Sequence, residues 1–251
     1  MVGSLLLRGM VVGVLAGILG FGFLKLAGEP SVDRAIAFES RLEAVKAEHG
    51  SSPEAPALVS REVQAGIGLF TGVVVYGAAL GGLFALVFGL AYGRIGDLSP
   101  RAVAALLAML GFVAIHLVPN LKYPPNPPSV GDPATIGLRT TLYFSLIAVS
   151  LAAMVAAGML RSRLQPRSGA WNAWLLAGAF YLALMIAVGL ALPRIDEVPE
   201  QFPAVVLWQF RMASLGAQLI LWAMLGLGFG ALADRAAATP PRRRAEFAAR
   251  R

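Results

Sequence analysis

The sequence predicts an all-α integral membrane protein, with about six transmembrane helices (five as the alternative count) and an amphipathic helix outside the bilayer. Three observations predict it. Hydrophobic residues make up 57% of the 251 and charged residues only 14%, where a soluble domain carries roughly a quarter. The mean hydropathy is +0.71. The apolar residues also fall in runs long enough to cross a hydrocarbon core of ~30 Å, which takes about 20 helical residues.

The first run spans about Ser4 to Ala27. It is too long for the apolar core of a cleaved signal peptide, so it reads as a membrane helix. Gly9, Gly13 and Gly17 recur at four-residue spacing on one face, the pattern of close helix approach, although glycine is common in membrane helices for other reasons. Gly28-Glu29-Pro30 is expected to end this helix and Ser31 to cap the next. Over residues 28–61, Val32, Ala35, Ile36, Leu42 and Val45 recur near helical spacing among charges. That predicts an external amphipathic helix on or above the bilayer. Glu39 and Glu43 share one face of it, four apart, and His49 follows. Acids with one histidine suit a hard or borderline divalent cation; the plain alternative is a solvated helix.

The second helix is predicted over about Glu62 to Tyr92, with Gly68/Gly72 and Gly77/Gly81 again suited to tight packing. Tyr92 to Arg101 is a short basic turn. Ser99 caps the third helix and Pro100 takes its first position, where proline is favoured. That helix is expected to end at the His116–Pro119 junction. Residues 116–133 hold six prolines in 18 residues. Each proline fixes φ and removes a donor, and each restrains the residue before it. The external loop 117–135 is therefore predicted to be a stiff, polyproline-like strap, built on Lys122, Tyr123, Pro124, Pro127 and Pro128, with Gly131-Asp132-Pro133 turning into the fourth helix. Such a loop holds its polar groups in fixed positions, or merely sets the angle between two helices.

The fourth helix is expected over about Ile136 to Leu160, opening with Arg139 and Tyr143 as interface anchors. Arg161, Arg163 and Arg167 mark the next loop. The fifth follows over about Ala170 to Leu192, then an acidic loop at 193–201, then the sixth over about Phe202 to Leu232. Residues 1–233 thus form one polytopic membrane domain, and 234–251 a basic cytoplasmic tail.

Charge sets the orientation. With alternate loops on opposite sides, one side collects Arg8, Arg94, Arg101, Arg161, Arg163, Arg167, Arg235 and the five arginines from Arg242 on. It carries only three of the 14 acids, Asp97, Asp234 and Glu246. Basic short loops face the cytoplasm, so both termini are expected there and the acidic segments outside. A negative outer face concentrates cations. The net charge of +7 is therefore read as topology in a lipid bilayer; no aromatic-interleaved basic patch points to nucleic acid.

Polar residues at depth carry the rest. Arg211 lies about nine residues into the sixth run, roughly 13 Å at 1.5 Å per residue, and Arg211, Ser214 and Gln218 fall at i, i+3 and i+7. A charge at that depth faces a pathway or a gate, or else snorkels to the surface. His116, within a turn of the outer end of the third helix, reads as a packing residue or as a metal ligand, with Asp132 above it as the one carboxylate of the strap. There is no cysteine, and no phosphate-cradling loop, HExxH, GxSxG or triad. Thiol and zinc-thiolate chemistry are excluded, enzyme function is disfavoured, and no resident cofactor is expected.

Lys122-Tyr123-Pro124-Pro125-Asn126-Pro127-Pro128, Gly131-Asp132-Pro133 and Arg139-Thr140, with Leu207-Trp208-Gln209-Phe210-Arg211 and Tyr92-Gly93-Arg94, resemble the CbtA-type cobalt transporter subunits over nearly the whole chain. The resemblance implies a bacterial inner-membrane protein importing Co²⁺ for cobalamin synthesis beside a small histidine-bearing partner. It also implies five spans, against the six counted above, and more histidine in the first external loop than the single His49. The combined expectation is a divalent metal-ion transporter or transporter subunit, for cobalt before nickel. In it, Glu39, Glu43 and His49 collect the ion, His116 and Asp132 bind near the entrance, and Arg211 sets the gate. The alternative is a non-transporting scaffold that positions a partner.

Overall fold

A computed structural model of the chain describes residues 2–48, 59–128 and 130–238, which are helices and turns with no strand among them. Helix α1 (Val2–Phe23) passes through a π-turn (Leu24–Gly28) into α2 (Glu29–Glu48); α3 is Arg61–Ala91, α4 Pro100–Lys122, α5 Ile136–Ala191 and α6 Ala204–Ala238. Among the described residues, five continuous helices are long and apolar enough to cross a membrane. One of them, α5, is 56 residues long. At 1.5 Å per residue that is about 84 Å, far beyond one bilayer.

Gly169 resolves the excess. Its φ of 77° and ψ of 164° lie outside helical space, in a region that strains any residue bearing a Cβ, and they break α5 into arms 136–168 and 170–191. The arms fold back on each other. Leu146, Ala153 and Ala157 of one pack with Ala177, Tyr181 and Met185 of the other, and the Ser150 and Tyr181 hydroxyls share a hydrogen bond of 2.8 Å. Near the turn, the Arg161 guanidinium lies 4.5 Å over the Trp174 ring, a cation–π contact. The hairpin supplies two spans, so five continuous helices and a count of about six describe the same architecture.

Three boundaries differ from expectation. Gly28-Glu29-Pro30 does not end the first helix. The chain instead widens into the π-turn Leu24–Gly28, and Pro30 needs no amide donor so early in α2. Ser31, fully buried, donates its hydroxyl to the Gly28 carbonyl (2.6 Å) rather than capping an amide. Likewise α4 runs past the His116–Pro119 junction to Lys122, through a π-turn at Phe112–Leu117 with Pro119 in the turn that follows. The strap proper therefore starts at Tyr123, not at 117. The first arm of α5 extends beyond Leu160 to 168, over the three arginines assigned to a loop. At α4 the expected start holds: Ser99 Oγ accepts from the Ala102 amide (3.2 Å).

The described residues divide into two compact units: 2–26, 59–109 and 215–238 form one, and 27–48, 110–128 and 130–214 the other. In the first, α1 and α3 meet backbone to backbone. A Cβ on Gly13 would land on the Gly77 carbonyl oxygen, and a Cβ on Gly77 on that of Gly13. Phe229 of α6 fills the space beside Phe84 and Phe88, at centroid distances of 5.5 and 5.1 Å, and Leu225 is fully buried. The Lys25 ammonium donates to the Ala65 carbonyl (3.1 Å), beside Gly66, where α3 departs from helical geometry. In the second unit the α5 hairpin is one core. The other is the cluster Ala35, Val130, Phe202 and Val206, with Phe38 against it.

Candidate functional site

The second unit brings the strap together with three other stretches of chain. At its start, the Lys122 ammonium donates to the Leu192 carbonyl (2.9 Å) and the Tyr123 hydroxyl to the Pro193 carbonyl (3.0 Å). In its middle, Arg211 of α6 reaches it with Nη2 to Asn126 Oδ1 (2.9 Å) and Nε to the Pro125 carbonyl (3.4 Å). At its end, Val130 sits on Phe202, just ahead of α6, on Val206 of α6 and on Ala35 of α2. Prolines restrict the loop; these contacts choose where it lies.

Glu197 ties down the turn into α5. One of its carboxylate oxygens accepts the Thr135 hydroxyl (2.6 Å); the other accepts the Asp132 amide (2.8 Å) and lies 3.4 Å from Arg139 Nε. Gly131, at φ 135°, has the Arg139 guanidinium where a Cβ would be. The Thr135 hydroxyl chiefly, then the Asp132 amide and, least, the Arg139 charge hold the Glu197 carboxyl below the usual carboxylate range, against an opposing effect of burial that is smaller than either hydrogen bond but larger than the Arg139 contribution. A carboxyl with a depressed folded pKa stabilises the fold above the ordinary range. That contribution is lost as the pH falls through the depressed value. Acid melts should therefore show the wild type losing more stability in that window than Glu197→Ala, which lacks the group. Parallel acid curves for the two proteins would exclude Glu197 as the titrating tie.

The candidate residues fall in separate places. Asp132 Oδ1 accepts the Ala134 amide (2.8 Å) and so caps the short turn Pro133–Thr135. Glu39 is half-buried and Glu43 exposed on α2. The buried side of α2 carries Ala35, and Phe38 meets Phe202 edge-on at 5.1 Å; Arg34 bonds Gln209 of α6. His116 is buried beside Phe112, ring centroids 5.8 Å apart. His49 and residues 239–251 of the basic tail lie outside the described residues. Among the described residues no three His, Asp or Glu side chains gather as a metal-binding group.

Three partners were not legible beforehand. Glu197 stood in the acidic loop as one charge among several, and Asn126 and Gln209 as ordinary polar residues. The signal for Glu197 was weak: an acid across two membrane runs from Arg139. For Arg211 the signal was its depth, which called for a partner without naming one.

Among the pinned residues, Lys122, Tyr123, Asn126, Asp132, Arg139 and Arg211 also carried the family resemblance. The family profile described as "Probable cobalt transporter subunit (CbtA)" matches residues 2–234. No curated protein and no solved structure matches the chain. With nearly its whole length matched, several membrane-length helices and the strap held as a fixed element, the chain belongs to the CbtA family of probable cobalt transporter subunits.

Proposed function

We propose that this chain is the membrane-spanning subunit of a cobalt uptake system that feeds cobalamin synthesis. It lies in a bacterial cytoplasmic membrane with both termini inside. The match over residues 2–234 carries the reading. The chain works as a transporter subunit and not as an enzyme, and Co²⁺ (or Ni²⁺) is its cargo. Its partner is a small histidine-bearing membrane subunit, which would supply the imidazoles that a chain with two histidines lacks. Glu39, Glu43 and His49 gather the ion, and Asp132 and His116 receive it near the entrance. Arg211, Ser214 and Gln218, spaced along one face of α6, set the electrostatics of the gate. The fixed strap supports this reading, because a preset loop loses little entropy when it meets a ligand or partner.

Accumulation of labelled cobalt in cells expressing the chain with and without its partner tests the proposal. Asp132→Asn keeps a good cap, so protein levels should hold while uptake falls further than in Glu43→Gln, whose site lies on an exposed helix face. Equal uptake at equal expression would leave Asp132 structural. The word "subunit" in the family description favours a second reading, a scaffold that positions a partner. It predicts no uptake by this chain alone and uptake by the partner alone at a lower level. For topology, a reporter after Arg251 should behave as cytoplasmic and one inserted near Ser51 as external. The reverse result would overturn the assignment from basic loops.

A further inference from the structure

Two polar side chains on α4 have no role in the strap or its anchors. His116 is 7% exposed, and its Nε2 has no hydrogen-bond partner. Asn120 has a buried Oδ1 that also has none. Residues four apart share a helix face one turn apart, and these two do not bond each other. His116 lies in the π-turn Phe112–Leu117, a distortion that recurs at functional sites. Buried polar atoms are ordinarily paired, and in a chain this apolar two orphans on one turn call for a common partner. With its proton on Nδ1, the neutral imidazole offers Nε2 as an acceptor, as the amide offers Oδ1, so a donor or a cation satisfies the two together.

We propose that His116 Nε2 and Asn120 Oδ1 form an intramembrane seat for a divalent transition-metal ion in transit. The inference rests on the transport reading above and adds a position within the bilayer and a donor set. Imidazole nitrogen with a neutral oxygen suits Co²⁺ or Ni²⁺, whereas Mg²⁺ prefers oxygen throughout. Two protein donors leave the remaining coordination positions to water or to the next ligand. That makes the seat weak, as transit requires: an ion must be held well enough to enter and loosely enough to leave. With no cysteine in the chain, no thiolate competes to trap the ion.

The two histidines make the test clean. In His49→Ala, the full chain in lipid nanodiscs retains one imidazole, His116. Added Co²⁺ should show nitrogen ligation by pulsed paramagnetic resonance, lost in His49→Ala/His116→Gln. Asn120→Leu should weaken Co²⁺ binding at least tenfold, and Asn120→Asp, which adds a charge, should tighten it while slowing cobalt flux into vesicles. The Asp variant guards against misfolding, because a misfolded protein would not bind more tightly. Unchanged Co²⁺ affinity in Asn120→Leu and Asn120→Asp, or retained nitrogen ligation without His116, overturns the seat and leaves the pair to a bound water. Wild-type cobalt flux in His116→Gln/Asn120→Leu also overturns it and leaves the transport reading standing. Imidazole-bound Co²⁺ in a chain that moves none even beside its partner would sink the transport reading and, with it, the seat as a transit site, leaving a static binding site.

Discussion

Gly13→Val is expected to abolish folded protein, while Gly72→Val on α3 leaves it near wild-type level. The new Cβ on Gly13 meets the Gly77 carbonyl oxygen and carbon and the Ala78 Cα, all backbone atoms. Backbone cannot rotate aside as a side chain can, so α1 and α3 must separate along the line where Gly9 and Gly81 also meet. Overpacking a core costs about 1–3 kcal/mol even where side chains can yield; with backbone on both sides the cost should exceed about 3 kcal/mol. Little else compensates, since association inside a bilayer draws on close packing rather than on a hydrophobic drive. Gly72 has no atom within 4 Å of its Cβ position and so controls for the change in helix propensity. Folded yield by size-exclusion chromatography in mild detergent measures both. Equal yields would mean that the two helices are held elsewhere.

That contact was legible in part, since four-residue glycine spacing on two runs suits close helix approach, although glycine is common in membrane helices for other reasons and the spacing does not say which runs meet. The hairpin was legible for a similar reason: no bilayer accommodates an uninterrupted α5, so a break was required between Arg161 and Ala170. Gly169 supplies it at the residue where a positive φ costs nothing. Helix ends were less legible. Pro30 and Pro119 read as stops, yet each follows a π-turn that spares the amide bond a proline would otherwise forfeit. Sequence records the missing donor; it does not record whether a neighbouring turn still needs one. The site was least legible. Glu197 lies 62 to 65 residues from Thr135 and Asp132, and Arg211 lies 85 from Asn126. No local spacing encodes such pairs; they exist because helices return the chain to the same end of the second unit.

Arg211→Leu is expected to free the strap and lower cobalt uptake severalfold without reducing insertion. Leucine in an apolar run improves transfer into lipid, so loss of the charge does not threaten the span. What is lost is a fork: Nη2 on Asn126 Oδ1 and Nε on the Pro125 carbonyl. Proline has no amide, so this stretch of strap offers few backbone donors, and carbonyls and side chains must anchor it. Hydrogen bonds to a charged group contribute about 1.5–3 kcal/mol each. The second is long at 3.4 Å, so the pair together should change the local opening equilibrium by one to two orders of magnitude, roughly 1.4 kcal/mol per factor of ten. Arg211→Lys keeps the charge but not the planar fork and should fall between. The chain has no cysteine, which allows a direct readout. Val130→Cys places a single thiol at a buried position on the Phe202 floor, and its labelling rate reports strap opening. Labelling should rise at least tenfold in Val130→Cys/Arg211→Leu and less in Val130→Cys/Arg211→Lys. Faster labelling with normal uptake would make Arg211 a strap anchor alone. Slow labelling with lost uptake would separate the arginine from the strap and leave it to the gate.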